Sequence, residues 1–231
     1  MQETDMKVAV IGGGAAGLMA AYAAAVNGNE VAVYEKNNKC GKKIYITGKG
    51  RCNFTNAVSP EEFLRNVVRN SKFLTGAIYS FPPERTIQFF EDGGVPVKVE
   101  RGNRAFPQSD KASDITKCLE RYCKNVGVRI CLDDEVQDFT FLNSTVSNII
   151  TSDGSHSVDK IIVCTGGLSY PTTGSTGDGY KFARKAGHKI VEPRQALCGV
   201  NLAGSYFKSL QGLTLKNVRL TVEYVGKVVF D

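Results

Sequence analysis

An α/β fold organised on a parallel sheet is predicted by three features of this 231-residue chain. An apolar strand, Lys7-Val-Ala-Val-Ile11, runs into the glycine turn Gly12-Gly-Gly-Ala-Ala-Gly17 and an alanine-rich helix. A second strand, Val31-Ala-Val-Tyr-Glu35, then ends on a carboxylate about twenty residues after the glycines, the order of a dinucleotide-binding βαβ unit. Much later, Lys160-Ile-Ile-Val-Cys164 is a continuous apolar run, as expected of a parallel strand covered on both faces, and it opens into Thr165-Gly-Gly167.

The glycine turn has a chemistry of its own. Gly12 permits the tight turn, Gly14 lets the backbone approach a diphosphate, and Gly17 allows close packing of helix on strand. The stretch Gly12, Gly13, Gly14, Ala15, Ala16, Gly17 is the candidate phosphate site, because the free N–H groups and positive dipole end of the helix face it. Glu35 is placed to accept hydrogen bonds from the adenosine ribose hydroxyls and to repel a 2′-phosphate. An ordinary βα turn would not need all these parts in this order.

Composition narrows the function classes. The length suits one well-buried domain with room for part of a second. Val8 to Ile11 is far too short to span a bilayer, and the alanine-rich run is broken by Tyr22, Asn27 and Gly28, so no membrane association is expected and a cytoplasmic location is the default. The seven cysteines, at 40, 52, 118, 123, 131, 164 and 198, include no C-x-x-C pair, and two histidines are too few to complete a zinc site, so reduced thiols and no metal are expected. The net charge of +6 is uneven: Lys36, Lys39, Lys42, Lys43, Lys49 and Arg51 crowd the segment after Glu35, which favours an anionic ligand there. Nucleic acid is the rival partner, but the cluster carries glycines rather than interleaved aromatics. For Lys36 and Lys39 a solvated basic loop is the equal alternative.

After the first βαβ unit the pattern predicts helices over Pro60–Asn70, Ser71–Phe81 and Pro83–Asp92, the last begun by a proline and stopped by Gly93-Gly94. Val95–Val99 reads as a short strand. Asp110–Val126 reads as a helix whose Ile115, Leu119 and Tyr122 share one face. From Val128 the period changes to two, through Arg129–Leu132, Glu135–Phe141 and Val146–Thr151, which reads as a strand-rich insertion. Gly179–His188 is helical, and Leu197–Leu202 and Val218–Val225 are candidate strands of a different layer.

A plain nicotinamide-binding half would continue after Glu35 with another helix and parallel strand. This chain continues instead with Cys40-Gly-Lys-Lys-Ile-Tyr-Ile-Thr-Gly-Lys-Gly-Arg-Cys-Asn-Phe-Thr-Asn56, a loop suited to run along an extended cofactor. Gly48 and Gly50 allow close approach, Arg51 suits a phosphate or a flavin carbonyl, and Asn53 suits ring or ribityl polar groups. Gly12 to Gly17, Gly48 to Asn56, Arg104-Ala-Phe-Pro-Gln-Ser-Asp-Lys-Ala-Ser113 and Thr165-Gly-Gly-Leu-Ser-Tyr-Pro-Thr-Thr-Gly-Ser-Thr-Gly-Asp-Gly-Tyr180 together resemble the BaiN/YhiN-like family of FAD-dependent oxidoreductases. The resemblance implies a Rossmann-type FAD-binding domain over residues 1–188, with its strand-rich insertion, and the start of an inserted lid domain over 189–231. By the same resemblance Gly12 to Gly17 and Glu35 hold the ADP half, Arg51, Cys52 and Asn53 approach the flavin half, and the Val136 backbone meets the adenine. Family members continue well beyond residue 231, so a shortened chain with weakened flavin retention is the expectation.

The resemblance implies hydride transfer through noncovalent FAD to an activated organic substrate, a C=C bond or similar, with NADH or NADPH as donor. Tyr170, after the second glycine turn, is the candidate proton donor or a packed loop aromatic. Arg104 orients substrate or flavin, or braces a loop. Asp178 contacts the cofactor or caps the following helix. Lys36, Lys43, Gly50, Thr165, Gly166 and Gly167 complete the candidate cofactor set. Three competitors remain: a nucleotide-binding module without turnover, a tRNA-modifying flavoprotein, and flavin-linked disulfide exchange at Cys40 and Cys52, which are far apart for a redox pair.

Overall fold

The structure, a computed structural model, describes residues 6–194, 201, 203–215 and 218–230. The chain divides into two units, residues 1–190 and 191–231.

The first unit begins with β1 (Lys7–Ile11), α1 (Ala15–Val26) and β2 (Glu30–Glu35). A helical turn over Ile44–Gly50 leads to β3 (Thr55–Asn56), α2 (Pro60–Arg65), α3 (Ser71–Ser80) and α4 (Pro83–Asp92). Then come β4 (Val97–Glu100), β5 (Arg104–Pro107), α5 (Ala112–Asn125), β6 (Arg129–Leu132), β7 (Val136–Leu142), β8 (Thr145–Thr151), β9 (Ser155–Ser157), β10 (Lys160–Val163) and α6 (Asp178–Lys185).

The central sheet is parallel, in the order β10-β1-β2-β6. Alternate residues of β1 serve opposite faces, which is why the strand reads as continuously apolar. Val8 and Val10 join Val31, Val33, Leu18, Ala21, Ile115 and Leu119 on the α1/α5 side. Ala9 and Ile11 join Tyr34, Phe139, Ile149 and Phe182 on the other.

Two smaller antiparallel sheets flank this core, β3-β5-β4 and β7-β8-β9. Arg129–Leu132 is not part of the strand-rich insertion, as its period-two pattern suggested. It pairs in parallel with β2 as the sheet's edge strand, because α5 supplies the crossover that brings it alongside. The strands β3, β5 and β9 went unread, since none of them carries an apolar–polar alternation that would mark it.

In the second unit, β11 (Val222–Tyr224) and β12 (Lys227–Phe230) form an antiparallel hairpin through Val225 and Gly226. Both turn residues have positive φ, the geometry that matches strand twist in a two-residue hairpin. Most of the candidate strand Leu197–Leu202, with Cys198, lies outside the described residues. No helix among the described residues is long and apolar enough to cross a membrane.

Candidate functional site

A cavity of about 960 Å³ opens in the first unit where β1 and β10 end. It lies at the upper end of the range for cofactor and ligand sites, and its position beyond the carboxyl ends of parallel strands is where open α/β sheets bind ligands.

One wall is the glycine turn, and each glycine has a geometric reason. Gly12 has φ +105°, and a Cβ there would lie 2.6 Å from the Cys164 carbonyl oxygen. At Gly17 a Cβ would overlap the Gly12 carbonyl, so helix and strand pack backbone to backbone. Around Gly14 a Cβ would meet nothing within 4 Å. Gly12, Gly14, Ala15 and Ala16 line the cavity, and Gly14 caps α1 without a side-chain hydrogen bond, leaving the first amides of the helix as donors toward that space. Gly13 stands behind them, its amide donating 2.7 Å to Glu35 Oε2.

Glu35 is buried and lines the same cavity. Its Oε1 accepts from the Asn37 amide at 2.9 Å and from Asn37 Nδ2 at 2.5 Å. The carboxylate therefore ties the end of β2 to the glycine turn and to the following loop, with acceptor capacity left over for a ribose hydroxyl.

The opposite wall is the segment after β10. Lys36 Nζ donates to Thr176 Oγ1 and to Asp178 Oδ2, both at 2.7 Å. Lys43 Nζ donates to the Ser169 carbonyl at 2.7 Å and to Ser175 Oγ at 2.6 Å. Lys36, Lys43, Thr165, Gly166, Ser175 and Asp178 all line the cavity. Burial pushes the Asp178 carboxyl up, but the hydrogen bonds from Lys36 and Thr176 and the Lys36 charge outweigh it and hold the group below its ordinary value. Asp178 is the first residue of α6, whose cap is Gly177. Thr165 Oγ1 is buried with no hydrogen-bond partner among the described residues. Gly167 lies outside the lining.

The 44–54 loop divides its candidates. Cys52 and Asn53 line the cavity, whereas Gly50 and Arg51 do not. Arg51 forks onto Glu100 at 2.7 and 3.2 Å, reaches Asp110 at 3.3 Å and stacks 4.2 Å from the Phe106 ring centroid. Its guanidinium thus meets carboxylates of the chain where a phosphate or flavin carbonyl was expected. The sequence could not show that Glu100 and Asp110 would arrive beside it. Asn53 Nδ2 donates to the Thr55 and Ala105 carbonyls, fixing the loop against β5. Val136, at the start of β7, lines the far end.

Tyr170 and Arg104 do not line the cavity. Tyr170 is 66% exposed, and Arg104 donates to the Arg101 carbonyl and sits 5.7 Å from the Phe106 ring centroid. Cys40 and Cys52 are both buried and free. Burial, then the charges of Glu120 and Glu35, push the Cys40 thiol up to about 12, and burial raises Cys52 too.

Sequence reasoning missed Asn37, which bonds Glu35 and the Thr173 carbonyl, and Ser175. It also missed the apolar end of the cavity, walled by Met19, Phe54, Phe81, Phe89 and Phe90. An asparagine two residues beyond the acid was the available signal for the first. The aromatic wall had none, because a helical pattern does not tell which of its aromatics face a cavity.

The donor set fits a dinucleotide: helix amides and Lys43 for phosphates, Glu35 for a ribose, open space at Gly14 and an orphaned hydroxyl at Thr165. The fold is of the Rossmann FAD-binding type. It superimposes on an open-conformation flavocytochrome c3 fumarate reductase with a TM-score of 0.61 at 20% identity, over 80% of this chain and 41% of that one. It also matches the 3-ketosteroid-Δ4-(5α)-dehydrogenase of Rhodococcus jostii with a TM-score of 0.56 at 19% identity, over 74% and 48%. In sequence it is 31% identical over 218 residues to the 3-dehydro-bile acid Δ(4,6)-reductase of Clostridium scindens, covering 90% of this chain and 50% of that protein. It is 29% identical to the ribosomal RNA dihydrouridine synthase of Haemophilus influenzae, covering 89% and 52%. The chain spans about half the length of these curated relatives. A family profile described as HI0933-like protein Rossmann domain matches residues 6–226, and the chain belongs to that family.

Proposed function

We propose that residues 1–188 bind FAD noncovalently and that the protein reduces a C=C bond conjugated to a carbonyl, with NADH or NADPH as electron donor. The observation that carries the reading is the union of the α1 amides and Glu35 in one cavity large enough for an extended cofactor. When bound, FAD would supply the hydride chemistry itself. The chain's own part is to hold and orient. The helix amides and dipole receive the diphosphate, Lys43 adds a positive charge, Glu35 accepts from the ribose, and Phe54, Phe89 and Phe90 keep water from the apolar end. Residues 189–231 are assigned to the start of a lid.

The names of the curated relatives favour this reaction class. A Δ(4,6)-reductase of a 3-dehydro steroid acid and an enzyme that forms dihydrouridine both add one hydride and one proton across a carbonyl-conjugated double bond. The small molecule is the preferred substrate, as in the name of the bile-acid relative; the other name supplies a second reading, a uracil ring within RNA. Tyr170 serves as proton donor in either case only if its loop turns it inward. Disulfide exchange is disfavoured, since Cys40 and Cys52 are separate buried thiols.

The test is a flavin spectrum of the purified protein, followed by anaerobic addition of NADH or NADPH and then of a 3-oxo-Δ4 steroid acid or ribosomal RNA. Bleaching by the nicotinamide and reoxidation by one of the two substrates is the expected result. Flavin bands that no nicotinamide bleaches would leave a binding module without turnover.

A further inference from the structure

The segment between β10 and α6 is joined to the 36–43 loop only through side chains. Lys36, Asn37 and Lys43 reach across to Ser169, Thr173, Ser175, Thr176 and Asp178 at 2.6 to 3.3 Å. Among the described residues no backbone-to-backbone hydrogen bond ties residues 166–176 to any other element, and Gly177 bonds only onward, accepting from the Tyr180 amide of α6. Those the segment makes are internal, Thr173 to Tyr170, Gly174 to Pro171 and Thr176 to Gly174, so it is a self-contained strap. Glycines with positive φ stand at both ends, Gly166 at 74° and Gly177 at 89°, where rotation is least hindered.

The two lysines are not equivalent. Lys36 faces the Asp178 carboxylate, with Glu135 3.7 Å away, and forms a charge-paired anchor. Lys43 is half-buried against a carbonyl and a hydroxyl, so its charge has no carboxylate partner among its hydrogen bonds. A diphosphate in the cavity is the stronger acceptor for that ammonium. The strap lines the cavity through Gly166, Thr173, Gly174 and Ser175.

We propose that residues 166–177 are the gate of the dinucleotide site, a strap hinged at Gly166 and Gly177 that releases Lys36, Asn37 and Lys43 to let the cofactor in or out. The gate rests on the FAD reading above. The Lys36–Thr176 hydrogen bond, with Lys36 steadied from α6 by Asp178, sets how often the strap opens, and Lys43 exchanges its strap partners for the diphosphate. Such an element changes both rates of cofactor exchange more than it changes affinity.

Two variants test it. Lys36→Met removes the anchor, and Thr176→Val removes a strap-side acceptor that does not line the cavity. Amide exchange of the apoprotein is followed by mass spectrometry on peptides covering 166–177, with 7–11 and 160–163 as controls. Stopped-flow fluorescence then gives the FAD on- and off-rates. The expected result is about tenfold faster strap exchange in Lys36→Met and two- to threefold in Thr176→Val, with the control strands unchanged and both FAD rates rising together. Strap exchange that neither variant moves, or an off-rate that rises alone, overturns the gate while leaving FAD binding intact. Absence of FAD binding to the unmodified chain overturns the cofactor reading instead, and the gate with it.

Discussion

Two glycine-rich turns leave neighbouring parallel strands and face each other across one cavity, yet they are built in opposite ways. The turn after β1 is held mostly by backbone, with the Glu35 carboxylate on Gly13 N besides: Gly12 N donates to the Tyr34 carbonyl, Gly41 N to the Gly13 carbonyl, and Gly17 packs on Gly12 with no room for a side chain. The turn after β10 is held by lysine and asparagine tips. The same residue type thus serves rigidity in one place and mobility in the other. What decides is whether main chain or side chain supplies the hydrogen bonds, because long side chains lose more rotamer freedom on being fixed and let go more readily.

The largest expected effect lies on the rigid side. Gly17→Ala forces a methyl into the Gly12 carbonyl and should lower stability by about 3 kcal/mol in urea unfolding, the upper range for overpacking. A variant as stable as the parent would show that the turn yields, and the contrast would collapse. Glu35→Gln keeps the volume but replaces an acceptor of three hydrogen bonds, so a loss of about 2 kcal/mol is expected, with weaker FAD binding. Gly14→Ala separates fold from ligand: with nothing near its Cβ it should alter stability by less than about 0.5 kcal/mol. Its methyl nevertheless enters the cavity, and flavin titration should show affinity down at least tenfold.

A pH series sharpens the comparison further. Cys40 packs behind Gly13, and burial raises its thiol to about 12 from an ordinary 9. A raised thiol favours the folded state fully below its unfolded value and progressively less above it, so thermal stability should change with the titration of this group between pH 9 and 12, declining as the pH rises. Thiol counting under native conditions at pH 8 should find Cys40 and Cys52 unreactive until the protein is denatured. The smallest expected effect is Tyr170→Phe, whose exposed ring should leave stability within about 0.5 kcal/mol. Loss of turnover in that variant would show that the strap carries Tyr170 into the cavity.

Legibility followed the same division. The βαβ unit could be read from sequence because its geometry depends on missing side chains, and glycines at 12 and 17 leave few other folds open. Helix α4 was bounded correctly by Pro83 and Gly93, both local signals. Arg51 could not be placed, since its partners Glu100 and Asp110 come from another sheet and loop about fifty residues on. Arg129–Leu132 was misplaced for a related reason: its four residues do not alternate in burial, and its partner strand β2 lies about a hundred residues back, so nothing local marks it as a parallel edge strand. The strap's latch was hidden because lysines announce charge without announcing a destination.

The loop beside the cavity carries one more consequence. Lys49 and Cys52 hold φ of 59° and 62°, a region glycine enters freely and other side chains enter at a cost of about 1 kcal/mol or more. Under laboratory selection for thermal endurance, the codon at 49, whose side chain is exposed, should drift toward glycine, while Cys52 should stay, because its side chain is packed in the core and forms part of the cavity wall. The loop thus sets a replaceable strained residue three positions from one that packing holds in place.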